Sequence, residues 1–215
     1  AFAIESLTRA QRAIDDGLNQ KEIAPVTIRT RRGEHTVSVD EQPHKANLEK
    51  IPQLRPAFAE NGTITPANSS SISDGASALL LASEAAVEAH GLTARARIVA
   101  HSRNSLAPEA FTLAPIGAAE DVLAKAGWTV ADVDLWEINE AFAMVTMLTM
   151  DALKLDPACV NVHGGACAQG HPIGSTGSRI IVTLMHALEH YGKKRGVAAL
   201  CIGGGEATAV AIELV

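Results

Sequence analysis

Two polar stretches in the last third of this 215-residue chain carry the side chains best suited to chemistry. Ten of its 17 glycines fall between Gly164 and Gly205, an interval that contains both stretches. Glycine at that density marks backbone that approaches something closely. The first stretch, Asn161 to Arg179, reads NVHGGACAQGHPIGSTGSR and holds His171 between Gly170 and Pro172. That frame is rigid and non-helical, and an imidazole titrating near neutrality can serve there as general base or acid. The second, Val197 to Ala207, reads VAALCIGGGEA, so Cys201 ends an apolar strand and three glycines follow. The amides of Gly203 and Gly204 can then point into the space around the thiol. A thiol of ordinary pKa, about 8.5, suits reversible proton exchange with a weakly acidic carbon. A third stretch, WEINEAFA from Trp136 to Ala143, sets Asn139 at a strand-to-helix junction. There its amide either caps the helix or holds a water against a carbonyl.

Plainer readings stand beside these: a satisfied core histidine at 171, an inert buried thiol at 201, a helix cap at 139. The Gly/Pro frame shifts the first of them toward function. His163, Cys167 and His171 fall at four-residue steps that would share a helix face and invite a metal. Gly164, Gly165 and Gly170 each disfavour helix by about 1 kcal/mol, and no second ligand pair has zinc-type spacing, so no metal is expected. The chain has no G-x-x-x-x-G-K-[ST], no strand followed by G-x-G-x-x-G and no G-x-S-x-G. Nucleotide hydrolysis, dinucleotide redox chemistry and the usual esterase elbow lose their main support.

Composition narrows the partners. Eighteen basic against 24 acidic residues leave a net charge of −6, which argues against nucleic acid. Three cysteines, Cys159, Cys167 and Cys201, make no even disulfide framework and point to a reducing, cytoplasmic setting. No run approaches the roughly 18 apolar residues of a membrane span, and no signal-peptide pattern opens the chain. A hydrophobic share of 47% suffices for a real core.

The elements that must position these residues follow an α/β rhythm from residue 95 onward. ARIVAHS reads as strand, IGAAEDVLAKAG as helix, VDLWEI as strand, EAFAMVTMLTMDAL as helix, VNV as a short strand and SRIIVTLMHALEHYG as helix. VAALCI and AVAIELV then form two strands separated only by GGGEAT, so they can pair as neighbours. Upstream, residues 1–24 read as a helix ended by Pro25, and 26–40 as a hairpin with a charged tip at Arg31-Arg32-Gly33-Glu34. Pro43, Pro52 and Pro56 make 41–60 a surface excursion. ASALLLASEAAVEAH, closed by Gly91, reads as a helix whose entrance is the Ser69–Asp74 run.

Together and in this order, NEAF at 139–142, GGACAQGHPIGSTG at 164–177 and CIGGG at 201–205 resemble the C-terminal part of the thiolase family, the acyl-CoA acetyltransferases. NSSSISDG at 68–75 resembles the family's N-x-S-x-x-x-D-G segment, and FAIESLTRAQRAIDDG with EIAPV resembles its middle region. The resemblance implies an α/β, layered thiolase-like fold, with a mixed sheet flanked by helices. Residues 1–93 would be the loop region and the end of the family's N-terminal domain, and 94–215 the C-terminal domain. It further implies reversible Claisen condensation of acyl-CoA, with coenzyme A thioesters as substrates and no cofactor. His171 would activate the nucleophilic thiol and bind the thioester oxygen, and Asn139 would position the water that completes that site. Cys201 would move the methyl proton of acetyl-CoA, and the Gly203 amide would stabilise the acyl-enzyme oxyanion. Ser70 matches a serine near the pantetheine arm, and Phe142 would line the acyl end.

Ser71 stands where the family usually has Gly or Gln, and Cys167 where an aliphatic residue is typical. Neither Cys159 nor Cys167 matches the motif of the acyl-accepting cysteine, which family members carry in an N-terminal half. The resemblance therefore implies a C-terminal portion, inactive alone, whose partners are acyl-CoA, the missing half and copies of itself in a homodimer or homotetramer. The competing expectation is a non-catalytic acyl- or lipid-binding protein of the same fold, which would need neither His171 nor Cys201.

Overall fold

The computed structural model describes residues 1–215. Helix α1 (Phe2–Asp15) turns Leu7, Ala10 and Ala13 inward at the spacing the sequence displays. It stops well short of Pro25. Gly17 adopts φ +69°, which lets its own amide and that of Leu18 donate back to the carbonyls of Ile14 and Ala13, at 3.0 and 2.8 Å. That left-handed closure is open to glycine at little cost. Strands β1 (Val26–Thr30) and β2 (Gly33–Val37) form the expected antiparallel hairpin, Val26 opposite Val37, with every residue exposed. Helix α2 (Gln42–Lys45) and a 3₁₀ turn at Leu48–Gln53 make up the proline-rich excursion.

The expected helix over 76–90 is realised only as α3 (Glu84–His90). Its cap is Ser83, whose hydroxyl accepts from the Ala86 amide at 3.2 Å, and its left-handed stop is Gly91. Ala76–Ser83 has no helical structure, and Leu80 and Leu81 are 85% and 71% exposed. A segment apolar on all sides, such as ASALLLA, draws helical stability from burial on more than one face, and here part of that cover is lacking.

The remainder is a four-stranded mixed sheet flanked by helices. Strand β3 (Ala96–Ser105), helix α4 (Ala114–Ala126), strand β4 (Leu135–Ile138), helices α5 (Ala143–Leu153), α6 (Ala166–Gln169) and α7 (Thr176–Tyr191), and strands β5 (Arg195–Ile202) and β6 (Glu206–Leu214) follow in order. The strand order is β3-β6-β5-β4. The β3/β6 and β6/β5 pairs are antiparallel, and β5/β4 is parallel. Alternation along β5 divides the core. Val197 and Ala199 face a cluster with Ala118, Val122, Trp136 and Ile138, on the side covered by α4. Ala198 faces Ile180, Leu184 and Leu188 of α7 on the other side. The expected strand VNV shrinks to one bridge, Val160 beside Trp136. No helix is long and apolar enough to cross a membrane.

The parallel pairing matters most for the site. With Ile138 opposite Ala199, β4 and β5 deliver their C-terminal ends, and hence Asn139 and Cys201, to the same edge of the sheet.

Candidate active site

Asn139 leaves β4 with its amide donating to the Ala199 carbonyl at 2.9 Å, two residues before Cys201. It is 1% exposed, yet neither Oδ1 nor Nδ2 bonds to the protein. Capping does not account for it, because α5 begins at Ala143 with Phe142 in the cap position. A buried side-chain amide with both ends free is costly unless another molecule meets it.

Segment 69–72 joins this turn to the histidine loop. Ser69 bridges to Phe142, and both the amide and the hydroxyl of Ser70 donate to the Ala141 carbonyl, at 3.1 and 3.0 Å. On its other side, the Ser71 carbonyl accepts from the His171 amide at 3.0 Å, and Ile72 bridges to His171. One extended segment thus ties Asn139–Phe142 to His171. Ser71 is held in turn by Gln42 Nε2 at 2.7 Å. Gly170, at φ +86°, takes a backbone shape few other residues tolerate, and a Cβ there would collide with the Ser73 hydroxyl.

The His171 ring is half-buried, with Nδ1 2.6 Å from the Thr176 hydroxyl at the start of α7. Burial and the positive charge of Arg179 hold its pKa below the usual histidine value. It is therefore neutral near pH 7 and competent as a base. Cys201 is buried, and burial pushes its thiol above the ordinary range. This differs from the expectation of an ordinary value: no cation faces the sulfur, so desolvation prevails. Gly203 lies in the exposed turn after β5, and its amide makes no backbone hydrogen bond. Phe142 meets Phe58 and Phe111 edge-on, each with ring centroids 6.3 Å apart.

The other cysteines go elsewhere. Cys159 lines a cavity of about 520 Å³ with Asp134, Leu135 and Lys193, at the start of β4 and β5, the opposite edge from Cys201. Cys167 sits against Glu140, and burial, together with that neighbour, pushes its thiol far up. His163 packs with His190 and Tyr191, away from His171, so the three residues at four-residue steps do not converge. A groove of about 640 Å³ lies off the site, between Leu79–Leu81 and the outer side of α7 and β6.

Residues 92–214 match the family model described as "Thiolase, C-terminal domain" and residues 1–85 the one described as "Thiolase, N-terminal domain". The chain belongs to the thiolase family. It is 47% identical to an acetyl-CoA acetyltransferase of Yarrowia lipolytica, over 100% of this chain and 53% of that protein. It is 46% identical to a cytosolic acetyl-CoA acetyltransferase of Mus musculus, over 98% of this chain and 54% of that protein. Among solved thiolase structures, the Bacillus anthracis acetyl-CoA acetyltransferase superposes with a TM-score of 0.95 at 41% identity, covering 99% of this chain and 54% of that one. Human mitochondrial 3-ketoacyl-CoA thiolase gives 0.91 at 37% identity, covering 100% and 54%. The chain spans about half the length of the curated relatives it matches.

Several residues that hold this thiolase site together carry no chemical signal in the sequence. Glu140, wholly buried, accepts from the Ser6 hydroxyl at 2.7 Å, the Cys167 amide at 3.0 Å and Asn161 Nδ2 at 2.9 Å. Asn161, at φ +48°, also brackets Ile138, bonding its amide and carbonyl at 2.8 Å each. Gly165 packs directly against the Glu140 carboxyl group, since any Cβ there would strike it. The only hint was position: Glu140 directly follows Asn139, and Asn161 opens the histidine stretch.

Proposed function

We propose that this chain is the half of an acyl-CoA acetyltransferase that supplies the histidine and the acid/base cysteine of reversible Claisen condensation and thiolysis. The acyl-accepting cysteine then lies outside residues 1–215. The observation that carries this reading is the buried, unpartnered amide of Asn139, beside Cys201 on one edge of the sheet and linked through Ser70 and Ser71 to His171. An enolate forming beside a thioester needs hydrogen-bond donors set before charge develops.

In the condensing direction, His171 Nε2 takes the proton of the acyl-accepting thiol, whose sulfur attacks the first acyl-CoA and expels CoA as a thiolate, which takes a proton from solvent as Cys201 gives one up. The Gly203 amide stabilises the oxyanion of that step. The Cys201 thiolate then removes a methyl proton from acetyl-CoA. The enolate oxygen is held by His171 and by a water on Asn139, and its carbon bonds to the acyl carbon as the enzyme thiolate departs. Thiolysis reverses each step, and the protonated Cys201 thiol returns the proton to carbon. Phe142 lines the acyl end, and Ser70 lies along the pantetheine arm. Residues 94–215 form the C-terminal domain, and 1–93 the loop region and the end of the N-terminal domain. No cofactor or metal is required. The cytosolic mouse relative and the unpaired cysteines support a cytoplasmic setting, and the exposed apolar surface supports association with a second half and with further copies.

The test is deuterium uptake into the acetyl-CoA methyl by the complete polypeptide. Uptake is expected, and Cys201→Ala should lower it at least about 100-fold, the low end for a lost acid–base group. Uptake unchanged in Cys201→Ala would overturn the reading, as would acetoacetyl-CoA thiolysis at a normal rate by residues 1–215 alone.

A further inference from the structure

The Thr176 hydroxyl lies 2.6 Å from His171 Nδ1 and 3.0 Å from the Pro172 carbonyl oxygen. A hydroxyl has one hydrogen, and a carbonyl oxygen has none to give. Two oxygens at 3.0 Å with no hydrogen between them would repel through their lone pairs, so the threonine hydrogen points to Pro172. The contact at Nδ1 is then satisfied only if the ring nitrogen carries a hydrogen and donates it to the hydroxyl. From this we infer that Thr176 is a positioning residue that fixes neutral His171 in the Nδ1–H tautomer, so that Nε2 presents a lone pair to the substrate side.

The setting fixes the hydroxyl as firmly as the ring. Thr176 is wholly buried at the start of α7, and its own amide also donates to Pro172, at 2.9 Å. The segment is the rigid GHP turn, whose histidine amide is bonded to Ser71. Nε2 makes no hydrogen bond within the chain.

The inference rests on the reading that His171 acts on a thiol and its thioester, and it explains how one ring does both jobs. Nε2 with a free lone pair accepts the proton of the attacking thiol. The resulting imidazolium keeps its Nδ1–H on Thr176 and turns the new Nε2–H toward the thioester oxygen. An Nε2–H tautomer at rest would have no lone pair where the thiol proton must go.

The decisive measurement is the ¹⁵N shift pair of the His171 ring near pH 7.5 in the 215-residue chain labelled at histidine, with the signal assigned by its loss in His171→Asn. Wild type is expected to show a protonated Nδ1 and an unprotonated Nε2. Thr176→Val, which removes only the hydroxyl function at nearly constant volume, should move the ring to a mixture or to Nε2–H, and Thr176→Ser should restore the wild-type pattern. An Nε2–H ring in wild type overturns the inference, and that single spectrum decides even if the valine variant does not fold. So does a ring unchanged in a folded Thr176→Val. In the complete polypeptide, Thr176→Val should lower kcat at least about tenfold with KM nearly constant, and serine should rescue it. If His171→Ala leaves deuterium uptake and thiolysis intact while the ring is Nδ1–H, the proposed function fails and the tautomer assignment stands.

Discussion

At the scale of single residues, the two groups proposed to react are displaced in opposite directions by the same cause. Burial disfavours the charged form, which lowers the pKa of His171 and raises that of Cys201. The histidine stays neutral further into acid than usual, and the thiol stays protonated further into base. Condensation by the complete polypeptide should therefore lose rate on the acid side only below the ordinary histidine range near 6.5, and gain rate through and beyond the ordinary thiol range; an initial-rate pH profile checks both limbs. A different residue governs stability. Glu137, buried on β4 with Arg179 at 3.9 Å, has its pKa pushed up to about 8 by desolvation, which outweighs the guanidinium. Unfolded, that carboxyl ionises near 4.5; folded, it keeps its proton up to about 8. Across that window the native state binds the extra proton, so its contribution is fully present below the lower value and is lost as pH rises to the upper one. His163 acts oppositely: burial lowers its pKa to about 4, so stability grows as pH rises from there to 6.5 and is flat above. Between pH 6.5 and 8 the Glu137 contribution stands clear of His163. Urea midpoints should fall there by an amount equivalent to about 1–2 kcal/mol, and Glu137→Gln should flatten the fall.

At the scale of elements, the site is held by groups that do no chemistry. Glu140→Ala would strip the acceptor from Ser6, Asn161 and the Cys167 amide at once, joining α1, the histidine loop and the turn after β4. Three buried or part-buried donors losing one carboxyl partner should cost about 3 kcal/mol or more, read as a lower urea midpoint at unchanged m-value. Ser6→Ala, which leaves only the Gly165 amide and one carboxylate oxygen short, should cost about 1–2 kcal/mol. None of this was legible in the sequence, because a buried Glu–Ser–Asn contact across 134 residues leaves no periodic trace. What was legible had a local cause. The α/β alternation after residue 95, the β5–β6 neighbours across GGGEAT and the hairpin at 26–37 all appear as expected, since apolar runs and turn residues decide them. Errors arose where the deciding contact was distant or the stop was nearer than it looked. Gly17 ended α1 before Pro25 did, Val160 found only Trp136 to pair with, and Asn139 stood three residues before the cap position of the helix it was suspected of capping.

At the scale of the whole molecule, the expected helix over 76–90 is the instructive failure, because its pattern was right for a segment buried on all sides. Here Ala76–Ser83 is not helical, and Leu80, Leu81, Ile72, Ile173 and Phe58 are all largely exposed. Ile72 and Ile173 flank His171 in sequence or pairing, so the bare apolar surface adjoins the proposed catalytic edge, while Leu80 and Leu81 border the groove beside α7. Soluble monomers rarely leave so many large apolar side chains uncovered, and such surface drives association roughly in proportion to its area. The 215-residue chain should accordingly show concentration-dependent association in sedimentation velocity and bind an apolar dye such as ANS. Replacing Leu80 and Leu81 together by serine removes apolar area without touching the sheet core, so folding stability should change by no more than about 0.5 kcal/mol per site. The variant should stay monomeric at concentrations where the parent associates, and its dye binding should drop. Equal association in both proteins would mean that the adhesive surface lies elsewhere, and would separate the exposed leucines from whatever the other half of a thiolase covers.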